Sequence, residues 1–596
     1  MDGAVNADLE AHHIPGATVA LVRGDQVILA KGYGYADIEK RKPVVANQTL
    51  FRIGSVSKLF IWTAVMQLSE RGKLDLDADI NIYLKDFQIP ATYSKPITLK
   101  NLMTHTPGFE DLATDGRIFV RDSTDIMPLG KYLKDKMPAR VRPPGEVTAY
   151  SNYGSALAAY IVAQVSGMPF DKYVEENILV PLDMRNTTFE QPLPPELSGN
   201  MSQGYTYSNG LFQNEPFEFL QNWPAGSMSS TSEDMAKFMI AHLQNGQYGD
   251  NRILQESTAK EMHSQLFTND PKVNGWTYGF WEMELNNQSI IMHGGDTILF
   301  HTYLVLLPES DLGIFISCNE RAGEAAVGEL LATFMDHYYP IAPPPEPEPI
   351  PGFGQNASSF AGSYRMTRSA YTNFEKVSVL SQEAQVSAGV NDTLTIGTPL
   401  ESNQWVEVEP LVFRPVGGLP SSEELVFGKD IQGRIKYIFI NNNPTMAYER
   451  VDWTEGAGFN YALLGASVIL FLSTLIWGIG RIFNRCPRKQ ERSARSARWI
   501  AGGASMLNLL FLMGLMIISS IQPMEIIYSI PSSMTGLFTI PLIAAILALA
   551  SAVFAALAWK DSYWSLLERI HFTLVTLALL AFIWWLNNWN LLGYRF

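Results

Sequence analysis

Cysteine is nearly missing from this chain. Two residues, Cys318 and Cys486, stand among 596, so the fold is not that of a small disulfide-stapled secreted domain. One falls in an apolar strand-like run and the other in a basic stretch, and no bond between them is expected. No group of His, Cys, Asp and Glu has metal-ligand spacing, and no Gly-rich phosphate loop occurs. The reading therefore carries no metal and no cofactor. An excess of positive charge is lacking too: 44 Lys and Arg against 59 Asp and Glu leave a net −15, which argues against nucleic acid as a partner. The opening residues, Met1-Asp2-Gly3-Ala4-Val5-Asn6, have neither the basic start nor the apolar stretch of an export signal.

What is present is a set of three short motifs in a fixed order: Ser55-Val56-Ser57-Lys58, Tyr150-Ser151-Asn152 and His293-Gly294-Gly295. A serine hydroxyl is a poor nucleophile at neutral pH and needs a base within hydrogen-bond reach. Positions i and i+3 share one face of a helix. If Ser55 opens a helix, Lys58 stands one turn along beside its hydroxyl. The following run, Leu59 to Leu68, is mostly apolar and suits a buried helix ending near Gly72. Burial disfavours an ammonium and would make Lys58 a usable base. A serine at a helix start also offers its own backbone N–H to an oxyanion. Ser-x-x-Lys alone is weak: Ser257-Thr258-Ala259-Lys260 has the same spacing, and Tyr207-Ser208-Asn209 repeats the second motif. His293 reads equally as a strand residue bonded locally, His105 as a turn residue, and His12-His13 as a solvated pair.

The flanks separate the motifs from their copies. Phe51-Arg52-Ile53-Gly54 before Ser55, Ile97 to Phe109 with Thr104-His105-Thr106-Pro107-Gly108, Pro144-Gly145 before Tyr150, Pro224 to Ala236, and Met292 before His293 together resemble the serine β-lactamases of class C and related penicillin-recognising hydrolases. The resemblance covers about residues 8 to 338. It implies an α/β (α+β) domain with a central antiparallel sheet and a covalent acyl-enzyme on Ser55. It implies that Lys58 and Tyr150 share the base and proton-shuttle work, and that Asn152 bonds the substrate or Lys58. His293 and Gly295 would line the substrate, and the N–H groups of Ser55 and Asp296 would form the oxyanion hole. The third motif departs from the Lys-Thr-Gly form, whose Lys and Thr help hold a substrate carboxylate. That weakens a β-lactamase or carboxypeptidase reading. It favours the esterases, aminopeptidases and D-amino-acid peptidases of the family.

The residue pattern agrees with such a sheet. Thr18–Val22 and Gln26–Leu29 flank a turn, as do Thr302–Leu307 and Leu312–Ser317, and Ser289–Met292 is strand-like. After this domain (1–340), a Pro-rich run within 341–354 reads as a semi-rigid spacer. Residues 355–452 read as a small all-β barrel or sandwich, similar to the lipocalin-like domains appended to some peptidases of the family. It either shapes substrate access or holds the hydrolase off a membrane. Residues 458–596 contain four apolar runs, about 459–480, 499–520, 535–558 and 570–588, each near the 20 residues that cross a bilayer. The first loop between them is rich in Arg, from Arg481 to Arg498, and the next has no Lys or Arg around Gln522-Pro523-Met524-Glu525. The basic loop is expected inside the cell. That puts residues 1–452 on the outer side of a cytoplasmic membrane, after a signal peptide that is not part of this sequence.

The sequence thus reads as a membrane-anchored serine hydrolase. Its expected partners are a small peptide or other acyl-amide or ester substrate, the lipid bilayer and, through the apolar helices, a second copy of itself. The architecture also resembles membrane-bound peptidases that remove an N-acyl-D-amino-acid cap from exported prodrugs, but it departs from them in the inserted β-domain and the number of spans. An esterase and a β-lactam-sensing receptor acylated at Ser55 are the rival readings.

Overall fold

The computed structural model describes residues 2–342, 345–397, 402–416, 423–475, 477, 492–521 and 523–596. Seven strands form the first sheet: β1 Gly16–Arg23, β2 Gln26–Asp37, β3 Lys42–Pro43, β4 Trp281–Leu285, β5 Gln288–Asp296, β6 His301–Leu307 and β7 Leu312–Cys318. They lie in the order β4-β5-β6-β7-β1-β2-β3, and every neighbouring pair is antiparallel. The first and last thirds of this domain therefore meet in the middle of one sheet, along the β1–β7 pair. The period-two alternation of a strand divides its residues between two cores. Ile314, Ile316 and Val305 pack with Val327, Leu330 and Phe334. Phe315, Leu304 and Leu306 pack with Phe238 and Met239 on the opposite face. Both faces are covered, which is why these strands are apolar throughout rather than alternating.

Three helices matter for the site and the layers around it: α1 Ser57–Glu70, α2 Asn152–Ser166 and α3 Ser232–Leu243. All residues of α1 from Ser57 to Leu68 are buried, and the helix ends just before Gly72 at φ +67°. A fourth, α4 Gly323–Tyr338, covers the other face of the sheet.

The β-domain is a closed barrel of eight strands, from β8 Gly362–Met366 to β15 Ala447–Arg450. Trp405, Phe413, Phe427 and Phe360 fill it. The barrel docks on the first domain: Arg142 Nη1 donates to the Thr367 carbonyl at 2.9 Å, and Thr367 Oγ1 donates to the Thr148 carbonyl at 2.7 Å.

Three of the described helices are long and apolar enough to cross a membrane: Arg492–Ile521, Ser532–Lys560 and Leu566–Asn588. The first of the four expected runs forms the shorter helix Ala457–Ser473. Its continuation at 476 and 478–480 lies outside the described residues, as do most of the basic loop with Cys486, the Gly417-Gly418 turn and Pro343-Pro344. Two ends of the helical part touch the folded domains. Asp115 and Gly116 N–H donate to the Ile526 and Ile527 carbonyls at 3.1 and 3.0 Å, and Arg121 pairs with Glu525. Phe374 N–H donates to the Arg595 carbonyl at 2.9 Å, and Asn590 Nδ2 donates to the Tyr371 and Asn373 carbonyls. At the other end Arg498 meets Glu568 at 2.9 Å.

Candidate active site

The nucleophile segment enters from a short strand, Phe51–Arg52, paired with Ser229–Ser230. Gly54 then turns the chain at φ +52°, a left-handed conformation that favours glycine. Residues Gly54–Val56 form one 3-10 turn, and the helix proper begins at Ser57. Ser55 therefore stands in the turn two residues ahead of the helix, rather than opening it as expected. Its N–H still lies at the helix's positive end, and its side chain is half-buried.

Lys58 is fully buried. Its Nζ lies 2.8 Å from each of three oxygens: Ser55 Oγ, Asn152 Oδ1 and the Ala225 carbonyl. Burial pushes the amine well below its ordinary range, and the nearby Arg368 guanidinium pushes the same way against Asp111 and Asp296. A neutral amine has two N–H bonds and one lone pair. Asn152 Oδ1 and the Ala225 carbonyl only accept. The lone pair of neutral Lys58 therefore faces the Ser55 hydroxyl, placed to accept its proton.

Tyr150 reaches the same point from the chain just before α2, whose first residue is Asn152; Ser151 Oγ caps this helix by accepting from Gly154 N–H at 3.0 Å. The Tyr150 side chain is set beside Ser55, whose hydroxyl acts on the phenol, and Lys58 Nζ lies 4.9 Å from the centre of its ring. Burial raises the phenol above its ordinary value, against the Ser55 hydroxyl and the Arg368 charge. At neutral pH it is a protonated phenol that donates, while Lys58 is the group able to accept.

The third motif closes the site from the edge of the sheet. β4 pairs with β5 only as far as Met292, so beyond it one side of β5 is open. Thr297 N–H donates to the Phe300 carbonyl at 2.9 Å. In antiparallel alternation this makes Asp296–His301 a pair without mutual hydrogen bonds, and the Asp296 N–H points away from β6. The nucleophile turn lies there: a Cβ on Gly54 would stand 2.5 Å from Asp296 N, and one on Gly295 would stand 2.9 Å from Ser55 N. The two expected oxyanion donors are thus brought side by side. The Asp296 carboxylate itself holds His301 Nδ1 at 2.7 Å.

His293 is buried in β5 against Trp281, with ring centres 4.9 Å apart. Its Nδ1 lies 2.6 Å from the Gly294 carbonyl, so Nδ1 carries the proton. Burial, helped by Lys58, pushes the imidazole down to about 3. His293 is a neutral wall 6.4 Å from the Tyr150 ring, and its Nε2 has no partner among the described residues. His105, expected as a turn residue, has φ +53° and accepts from Ser151 N–H at 3.1 Å. It also stacks on Tyr150 at 4.1 Å, which fixes the phenol. His12 and His13 lie at the surface as expected: His12 meets Glu329 at 2.8 Å and exposed His13 stacks on Tyr207 at 4.0 Å. The copied motif at Ser257–Lys260 lies on a separate helix, where Lys260 pairs with Glu256 at 2.5 Å.

Three contributors escaped the sequence reading. The Ala225 carbonyl is a backbone group and carries no residue-type signal. Asp111 and Arg368 form an ion pair at 2.6 Å, with the Arg368 guanidinium 5.1 Å from the centre of the Tyr150 ring. Arg368 follows β8 in another domain, more than 200 residues after the second motif, and no local pattern marks it.

The β-lactamase family model matches residues 1–333, more than half of the chain. The chain belongs to the β-lactamase family. Members of this family are serine hydrolases, and the site described above has the groups such chemistry needs. The chain is 28% identical to protein flp of Staphylococcus aureus (strain N315) over 327 residues, 54% of this chain and 62% of that protein. It is 32% identical to the putative penicillin-binding protein PbpX of Bacillus subtilis (strain 168) over 230 residues, 37% of this chain and 53% of that one. The chain thus spans less than two thirds of the length of these curated relatives. Among solved structures, that of SurE with D-Leu superposes with a TM-score of 0.54 at 18% identity, covering 76% of this chain and 98% of SurE. That likeness is one of fold.

Proposed function

We propose that the chain is a membrane-anchored serine peptidase acting outside the cytoplasm, with Ser55 as nucleophile. The observation that carries this is the single nitrogen of Lys58 set 2.8 Å from both Ser55 Oγ and Asn152 Oδ1, with the Tyr150 ring centre 4.9 Å from the same nitrogen. Lys58 takes the Ser55 proton as the oxygen attacks a carbonyl. The N–H groups of Ser55 and Asp296 hold the oxyanion; losing one such donor typically slows a reaction about 10²–10³-fold. Tyr150 delivers a proton to the leaving amine and is reprotonated by the proton that Lys58 took; water then attacks the acyl group, giving one proton back to Ser55 as the acid product leaves.

The substrate is an amide next to a D-amino acid, in the free peptide or as an N-acylated cap. Two features support this: the His-Gly-Gly form of the third motif, and the D-Leu bound by SurE, a protein of like fold. On this reading the shorter apolar helix Ala457–Ser473 joins the three long ones in the membrane. The contacts of 526–527 and 590–595 with the folded domains fit a topology in which these two ends and residues 1–452 share the outer side.

Labelling tests the nucleophile. A fluorophosphonate or fluorescent penicillin should label the detergent-solubilised protein and Ser257→Ala alike, and Ser55→Ala not at all. Equal labelling of Ser55→Ala rules out Ser55. Turnover of D- and L-aminoacyl amides, N-acyl-D-amino-acid amides and nitrophenyl esters then separates peptidase from esterase.

A further inference from the structure

Arg368 is delivered to the site by the barrel, and the loop that carries it is fastened on both sides. Before it, Thr367 is held by Thr148, by Arg142 and by the Ala447 carbonyl. After it, Asp111 N–H donates to the Ser369 carbonyl at 3.1 Å. Glu110 accepts from Tyr371 and Thr372 N–H at 2.7 and 2.9 Å. Glu375 reaches back to Ala113 N–H at 2.9 Å. The far end of the loop is bonded to Asn590 and Arg595 of the membrane part. All three parts of the chain thus converge to hold one guanidinium beside Tyr150.

That guanidinium is used on one edge only. Nε donates to Asp111 Oδ2 at 2.6 Å, and Cζ lies over the Tyr150 ring at 5.1 Å from its centre. Among the described residues neither Nη has a hydrogen-bond partner, and the side chain is 36% exposed. A fork of N–H donors fixed in this way matches a carboxylate in both shape and charge. The site has a gap that such a fork fills. The third motif brings no cation, because His293 is neutral and followed by two glycines. The other cation against Tyr150 is Lys58, which must lose its charge to act as base.

We propose that Arg368 is the carboxylate anchor of this active site, so that the preferred substrates carry a free carboxylate close to the scissile carbonyl. The barrel is then a specificity element that completes the pocket. The proposal rests on acylation of Ser55 and deepens that reading by naming what the substrate must carry. Arg368 acts on binding and orientation; Ser55, Lys58 and Tyr150 do the bond making.

The test uses the full-length protein in detergent and two probes, an N-acetyl dipeptide with a free C-terminal carboxylate and its carboxamide twin, each in D,D and L,L forms. Wild type should prefer the acid over the amide by about 10- to 100-fold in kcat/KM, the range of a charge-assisted hydrogen bond. In Arg368→Gln this ratio should fall toward one, and Arg368→Lys should restore part of it. Where turnover is slow, protection of Ser55 from the fluorophosphonate by acid and amide gives the same ratio. A wild type indifferent to the carboxylate overturns the proposal. So does an Arg368→Gln variant that weakens both twins equally and keeps the ratio, because Arg368 would then serve only to position Tyr150. Failure of wild type to label at Ser55 is a different result: it removes the acyl-enzyme reading and the anchor with it.

Discussion

Lys58 has three oxygens at 2.8 Å and, when neutral, two protons to give. Its reactivity therefore depends on charge, and the charge depends on its neighbours. Burial and Arg368 depress its pKa, while Asp111 and Asp296 lift it. The neutral form grows as pH rises through this depressed pKa, so the rate of Ser55 acylation should climb along an acidic limb and then level. Arg368→Gln removes a positive neighbour, which raises the Lys58 pKa and moves the limb to higher pH. Asp111→Asn removes a negative one and moves it lower. Labelling rates against pH read both; a limb that stays put in both variants breaks the link. Tyr150, kept protonated by burial, is assigned the proton delivery. Tyr150→Phe should slow acylation about 10²–10⁴-fold, and an unchanged rate would take Tyr150 out of the mechanism. The sequence exposed Ser55, Lys58, Tyr150 and Asn152 because their spacing and flanks are local. It hid Ala225, whose contribution is a carbonyl, and Arg368, whose place is set by tertiary packing alone.

At the scale of elements, the site depends on how closely a turn approaches a strand end. Ile53-Gly54-Ser55 and Gly294-Gly295-Asp296 pass with no room for side chains. A Cβ on Gly295 would stand 2.0 Å from the Ile53 carbonyl oxygen, a distance that forces the backbones apart. Gly295→Ala should cost about 1–3 kcal/mol of stability, as overpacking does, and should lower Ser55 labelling by more than tenfold as the two oxyanion donors separate. Gly328→Ala in the middle of α4 is the control. No atom lies within 4 Å of its added Cβ, so it should gain up to about 1 kcal/mol. Thermal melts and labelling on both variants test the contrast; a Gly295→Ala protein with wild-type labelling would show that the close approach is dispensable. The glycines were visible in the sequence as a motif. That they answer each other across the site was not, because 240 residues separate them. The short strands of the barrel were readable from alternation, as at Thr393–Gly397 and Ile435–Ile440. Closure into a barrel rather than a sandwich was not, since both need the same half-apolar strands.

For the whole molecule, the question is which side of a membrane each part occupies. Four apolar runs stood out by composition. Three of them form helices of 23 to 30 residues, and at 1.5 Å per residue even the shortest is about 35 Å long, enough for the hydrocarbon core. The direction of each helix follows from its contacts. The helix from Arg492 ends at Ile521, next to the segment bonded to Asp115 and Gly116, and the helix from Leu566 ends at Asn588, next to the residues bonded to the barrel loop. On the proposed topology their starts, where Arg498 meets Glu568, lie a membrane thickness away from the hydrolase. Cys486 precedes Arg492 in the sequence, so the proposed topology predicts that a reagent confined to the outer side cannot reach it. Nature has supplied the probe, because the other cysteine, Cys318, is buried in β7. A membrane-impermeant maleimide should leave the protein unlabelled in intact cells and label it after permeabilisation, with all label lost in Cys486→Ser. Labelling of Cys486 from outside intact cells would invert the topology, put the active site in the cytoplasm and remove exported peptides from its reach.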